Sequence, residues 1–468
     1  VNARRDAARD VVRLALPAIG HSLLETLLFL VDRAVLGRYA SSALASMQIS
    51  GPLTWSLLSV SGAFAVGVVA LVGRAVGARD RRLATAALRA GLGLAVLLGG
   101  AAAVALAVGV DGVLAAFGAA SAEVRAASRG YLLTLAPGVP LLLCVGVAAS
   151  ALQAAGDTRT PFLIAGAGNV VNALLDWALV FGAWGAPQMG AAGAALGTVV
   201  AMTLQAGGLL LVLSRRDAAV CLRAPTEARA PAEARPAGAA RQTRVARAFG
   251  AAERDALARM LRVSGPAFAE KFVQHAGFFG YVTLIGALGP LVMAANQAMV
   301  SLESVCFLSA DGFGVAAAAV VAQRLGAGDA EGAAFAARVA TALGAGALGT
   351  LGLLFVALPA PLLEAFTPDG NVVRTALPAM WVAAVAQPFM AVGVVLGQAV
   401  RGAGATRAAL VVTLTGGLVV RLIATWLLAH VAGLGLVGVW LGSTCDWAVR
   451  TALFALVWRS GGWARARV

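Results

Sequence analysis

The chain has 468 residues, 60% hydrophobic and only 12% charged, with 56 glycines and a formal net charge of +14. Soluble globular domains do not have this balance; it marks a polytopic membrane protein whose many small residues let spanning helices pack closely. The basic excess does not point to nucleic acid, because the arginines lie between apolar runs, where membrane topology places them.

Residues 1–13 form a cytoplasmic N-terminal arm. Arg4, Arg5 and Arg9 then precede a span longer than a signal-peptide core, so the first span is expected to stay as an anchor. Apolar runs predict twelve spans, at 14–37, 48–73, 84–110, 130–152, 161–184, 190–213, 262–288, 291–323, 335–358, 375–400, 408–431 and 435–458. They divide into a first lobe, 14–213, and a second lobe, 262–458, followed by a cytoplasmic tail, 459–468. The segment 214–261, around RAPTEARAPAEARPAGAARQTR, reads as a disordered cytoplasmic linker. With both termini inside, 28 of the 36 basic residues are cytoplasmic and four are external, namely Arg38, Arg125, Arg129 and Arg374. The chain is therefore expected in the inner membrane. Cys144, Cys221, Cys306 and Cys445 lack metal-ligand or redox spacing, so no disulfide, metal or cofactor is expected.

The two halves repeat. At an offset of 249, Pro17 falls on Pro266, Gly37 on Gly286, Gly77 on Gly326 and Asp80 on Asp329. Further on, AGDTR at 155–159 meets AGATR at 403–407, an offset of 248. Six spans per half make the copies parallel, an arrangement that commonly forms a cavity worked by alternating access. These offsets map Asp32 to Tyr281, Asn172 to Val420 and Asp176 to Ala424, so the acid pattern of the first lobe has no copy in the second.

That pattern lies in GAGNVVNALLDWALVFG, residues 166–182. Asn169, Asn172 and Asp176 are spaced i, i+3, i+7 and share one helix face. A carboxylate in a span costs ~2.5–3.5 kcal/mol on insertion scales, so it marks a functional site. Amides alone would suit interhelical packing; the acid points to an ion. Asp32 lies ~27 Å along the first span and Asp176 ~22 Å along the fifth, both in the outer half. They can face each other, with Asn169, Asn172 and Thr198 completing a ring of oxygens. Paired buried carboxylates suit a proton carrier, and the ring also suits sodium; the choice stays open. In the second lobe Glu270 and Glu303, with His21, Gln48 and Gln297, are the candidates to line a substrate cavity. An internal salt bridge of the glutamates with Lys271 or Arg421 is the structural alternative. No GxxxxGK[ST], HExxH or GxSxG is present, so neither an enzyme nor ATP-driven transport is expected.

The residues resemble the multidrug and toxic compound extrusion (MATE) family along nearly the whole chain. LALPAIGHSLLETLLFLVDRAVLGRYASSALAS is similar to its first span and loop. ALQAAGDTRTPF, NVVNALLDWALVFG and GAAGAALGTVVA are similar to its fifth and sixth spans, and ANQAMVSLESVCFLSADGFGVAAAAVVAQRLGAGDAEGA to its eighth. The resemblance implies an all-α polytopic fold with twelve transmembrane helices in two pseudo-symmetric six-helix bundles, arranged as a V. It implies export of organic cations or amphiphiles against proton or sodium entry. The family's first-lobe cation site carries over to Asp32, Asn172, Asp176 and Thr198, and its acids in spans seven and eight to Glu270 and Glu303. Two departures stand out: His21 replaces a glutamate, and Arg33 follows Asp32 where a small or neutral residue is usual. The chain is expected to work as a monomer in the bilayer on small molecules, without nucleic acid. The rival expectation is a flippase for a lipid-linked precursor of the same wider superfamily.

Overall fold

A computed structural model describes residues 2–115, 121–215, 220–222, 250–466 and 468. Most of the expected linker, 223–249, lies outside the described residues. Twelve long helices follow one another: α1 (Asn2–Tyr39), α2 (Ser41–Gly77), α3 (Arg81–Ala115), α4 (Ala122–Ala154), α5 (Arg159–Phe181), α6 (Ala191–Ser214), α7 (Ala251–Gly286), α8 (Pro290–Gly326), α9 (Ala330–Ala357), α10 (Gly370–Gly402), α11 (Thr406–Val431) and α12 (Gly435–Arg459). They match the predicted spans in number and order. Among the described residues, nine are long and apolar enough to cross a membrane by length and composition alone. The expected N-terminal arm is continuous with α1.

One turn recurs four times, at α2/α3, α4/α5, α8/α9 and α10/α11. A left-handed residue ends the first helix: Arg79, Gly156, Gly328 or Gly404, with φ of 58°, 91°, 77° and 85°. The next amide then donates back to the carbonyl five residues earlier: Asp80 to Ala75, Asp157 to Leu152, Asp329 to Arg324 and Ala405 to Val400. This is the Schellman closure, which satisfies carbonyls left over at a helix end. In three of the four, the aspartate side chain also caps the next helix, accepting from Leu83, Thr160 and Gly332 amides at 2.9, 3.0 and 2.7 Å. Ala405 has no side chain with which to do so.

The chain packs as two compact units, Leu24–Arg262 and Val1–Leu23 with Val263–Val468. The sequence places all of the first span in the first lobe; the structure assigns its opening residues to the second unit. There Leu14 and Ala15 pack with Ala316, Val320 and Ala336, while Val11 packs with Ala317 and Val321. In the first unit the core gathers Leu36, Met47, Tyr131, Leu132 and Val180. At its α3 end the Arg89 guanidinium donates to the Leu222 carbonyl at 2.6 and 2.9 Å and meets Glu253 at 3.4 Å. The residues before and after the undescribed stretch are thus fastened to one side chain.

α11 is irregular: residues Leu414–Val420 and Trp426–Val431 are π-helical. A π-turn inserts one residue into an α-helix, and this changes the repeat register. Met189 N donates to Leu179 O in the first unit and Leu434 N to Leu428 O in the second. Gly193 abuts the Leu179 backbone as Gly438 abuts that of Leu428. Beyond the π-turn the α5–α11 offset is therefore 249, while that of α6–α12 is 245. Asn172 corresponds to Arg421 and Asp176 to Thr425, one residue beyond Val420 and Ala424.

Candidate functional site

Four of the expected residues meet inside the first unit. α1 supplies Asp32, α5 supplies Asn172 and Asp176 one turn apart, and α6 supplies Thr198. All are buried; Asn172 and Asp176 are 0% exposed. α6 comes this close to α5 because Gly197 faces Asp176: a Cβ there would fall on its Oδ1. The Asn172 side-chain amide donates to Asp176 Oδ1 at 3.2 Å and to Thr198 Oγ1 at 3.3 Å. The Thr198 hydroxyl donates to Ala194 O at 3.0 Å. The carboxyl groups of Asp32 and Asp176 are close enough to act on each other electrostatically, and Thr198 also lies near Asp32.

Three oxygens in this group are buried without a partner: Asp32 Oδ1, Asn172 Oδ1 and Asp176 Oδ2. Desolvating such atoms without compensation costs on the order of several kcal/mol. Two adjacent carboxylates do not both ionise unless a cation compensates them. The set is all oxygen, which suits a proton or a hard cation and not a soft metal. Among the described residues no group of three His, Cys, Asp or Glu side chains is placed to hold a metal.

Arg33 does not enter the site. It is exposed, and its guanidinium lies beside Gly51 on α2. Asn169 also stays outside the cluster, donating to Leu24 O at 2.6 Å and tying α5 to α1. Sequence reasoning missed Tyr131: it is buried on α4, near Thr54, and it lies within electrostatic reach of both aspartates. Only its rarity, as one of three tyrosines in the chain, hinted at a role.

The residues expected to line a substrate cavity are more scattered. Gln48 is exposed on the first unit. The second unit holds His21, half-buried; Gln297, exposed; and Glu303, half-buried with an unpartnered Oε1. Glu270 is withdrawn from any such role: it is buried, both its oxygens bond Arg401, and Thr413 donates to it at 2.6 Å. The salt-bridge alternative holds for Glu270 with a different partner, since Arg401, read as a loop residue, lies in the last turn of α10. Arg421 pairs with Asp446, a residue the sequence analysis did not single out.

The comparisons bear on this geometry as follows. A family model described as MatE matches residues 17–178 and 266–427. A "Probable multidrug resistance protein NorM" of Thermotoga maritima is 26% identical over 98% of this chain and 94% of its own length. One of the same description from Bradyrhizobium diazoefficiens is 27% identical over 96% and 92%. Among solved structures, an outward-facing multidrug resistance MATE transporter of the MOP superfamily superposes with a TM-score of 0.83 at 20% identity, over 97% of this chain and 95% of that one. A MOP superfamily transporter from Pyrococcus furiosus, described as having a binding pocket of reversed polarity, gives 0.82 at 20% identity over the same shares.

Proposed function

The chain belongs to the MATE family, and from that premise we propose that it is a cation-coupled antiporter whose coupling ion sits between Asp32 and Asp176. It is a transporter and not an enzyme, exporting organic cations or amphiphilic drugs by alternating access. The observation that carries the site is the trio of buried, unpartnered oxygens on Asp32, Asn172 and Asp176. A sodium ion entering from outside satisfies all three, with Thr198 as a further oxygen, whereas a proton neutralises one carboxylate and bridges it to the other. The arrival of either removes the repulsion between the carboxylates and changes how α1 packs on α5, which releases substrate outward. Loss of the ion to the cytoplasm resets the site. Both a proton and sodium fit this cycle.

In this reading the protein spans the inner membrane with its termini in the cytoplasm and works as a monomer, since each unit contains its own complete core. Glu303, His21, Gln48 and Gln297 are the proposed substrate-side residues. The flippase alternative gains no support: of Lys271, Arg421 and Arg450, which would have to receive an anionic headgroup, the two arginines are paired with Asp446.

The test is uptake of a fluorescent organic cation into proteoliposomes under an imposed proton or sodium gradient. Wild type should accumulate the dye under one of the two gradients, and Asp176→Asn should not. Equal accumulation by Asp32→Asn, Asp176→Asn and wild type would remove the coupling ion from this site.

A further inference from the structure

The second unit holds a counterpart of the cation site, built from the residues that the corrected register pairs with it. Tyr281 stands for Asp32, Arg421 for Asn172, Thr425 for Asp176 and Ser443 for Thr198. The contacts correspond as well. Asn172 donates to Thr198 Oγ1 at 3.3 Å, and the Arg421 guanidinium donates to Ser443 Oγ at 3.0 Å. A Cβ on Gly197 would meet Asp176, and one on Gly442 would meet Thr425. Gly168 makes room for Gln205 in the first unit as Gly417 makes room for Arg450 in the second.

The chemistry, however, is inverted. Where the first unit presents carboxylates, the second presents a guanidinium. Arg421 lies 5.2 Å over the Tyr281 ring, so an aromatic face stands where Asp32 stands in the first unit. Its Nε donates to Asp446 Oδ2 at 2.7 Å. Asp446 is 0% exposed and also accepts from Arg450 at 2.5 and 2.8 Å, while Arg450 lies 4.7 Å over Trp447. The Thr425 hydroxyl, which would face an ion, is buried without a partner. One carboxylate thus holds two guanidiniums, and the position homologous to the ion ligands is itself a cation.

We propose that the second unit's counterpart site is permanently filled by the protein's own cation, Arg421, so that a single mobile ion exchanges per transport cycle, at Asp32 and Asp176. This rests on the reading of the first unit given above. Arg421 acts as a tethered ion: it compensates Asp446 and occupies the oxygen pocket, which a free monovalent cation therefore cannot enter. Without that guanidinium, the pocket of Ser443, Thr425 and Asp446 becomes a site for an exogenous monovalent cation that can donate hydrogen bonds.

Two measurements on the full chain test this. In proteoliposomes, the ion gradient that just balances a fixed gradient of ethidium gives the number of ions moved per substrate, run separately with protons and sodium. One ion in wild type and none in Asp176→Asn is expected. Two in wild type and one in Asp176→Asn would overturn the tethered ion while leaving the first-unit site standing. An unchanged ratio in Asp176→Asn would instead remove the first-unit site. Independently, guanidinium chloride at millimolar concentration should raise the melting temperature of Arg421→Ala in detergent by several degrees relative to equal sodium chloride, and leave wild type unmoved. Equal effects of the two salts on both proteins would overturn the assignment of Arg421 as the occupant. If Arg421→Ala does not fold, Arg421→Lys, which keeps a tethered charge, must retain the wild-type ion ratio; a higher ratio would overturn the proposal.

Discussion

The ends of α5 and α6 in the first unit and of α11 and α12 in the second share one backbone design. Both close with the same amide-to-carbonyl bond, Met189 to Leu179 and Leu434 to Leu428, and both bring their helices together over a glycine, Gly197 or Gly442. On that shared frame one unit carries two carboxyl groups with unsatisfied oxygens, while the other carries two guanidiniums around one fully satisfied carboxylate. The frame sets distances between side chains; a handful of substitutions then decides whether the enclosed space needs an ion from outside. In the proposed cycle the first unit keeps an electrostatic deficit for an ion to fill, whereas the second fills the same space with its own guanidiniums.

The contrast can be broken from either side. The largest effect is expected from Asp176→Asn, which should lower gradient-driven dye uptake by a hundredfold or more while leaving the melting temperature unchanged or higher, because it removes a repulsive neighbour of Asp32. Asp446→Asn should do the reverse to stability. It leaves two guanidiniums without a counter-charge and should cost about 3–5 kcal/mol, the usual penalty for breaking a buried pair, seen as a large drop in melting temperature. The glycine pair sharpens the comparison. Gly442→Ala drives a methyl against the Thr425 backbone, with N and Cα 2.7 and 2.8 Å from it, and should destabilise by about 1–3 kcal/mol. Gly197→Ala meets mainly the movable Asp176 carboxylate, so it should cost less in melting temperature and more in uptake. The smallest effect concerns the shared turn. Among the four turns, Arg79 alone holds the left-handed position without being glycine, and Arg79→Gly should stabilise by about 1 kcal/mol, read as a rise in melting temperature with unaltered transport.

Much of this was legible in the residues. The twelve helices follow from uninterrupted apolar runs, and the Asp32, Asn172, Asp176 and Thr198 cluster follows from polar spacing on helices whose depth can be counted. The glycine and aspartate of the α4/α5 and α8/α9 turns are visible as AGD at 155–157 and 327–329. What escaped has local causes. The π-turn at LTGGLVV adds one residue inside an apolar stretch, where an extra small or aliphatic side chain leaves no mark on hydropathy. The register drawn from AGATR therefore runs one residue short, and Arg421 is offered only as a salt-bridge partner for the glutamates. The expected span ends at 400, one residue before Arg401, although a long side chain in a last helical turn can reach back along the next helix. The boundary in α1 escaped because a continuous helix gives no sign of which neighbours its first turns will choose.

That boundary, with the fastening of Leu222 and Glu253 to Arg89, bears on whether either half folds alone. The first 23 residues of the chain belong with the second half, while Ala251–Arg262, the repeat equivalent of residues 2–13, belong with the first. Each half therefore lends its opening turns to the other. This is the pattern of a domain swap within one chain. Two fragments divided within 223–249 should need each other, because neither contains every piece of either unit.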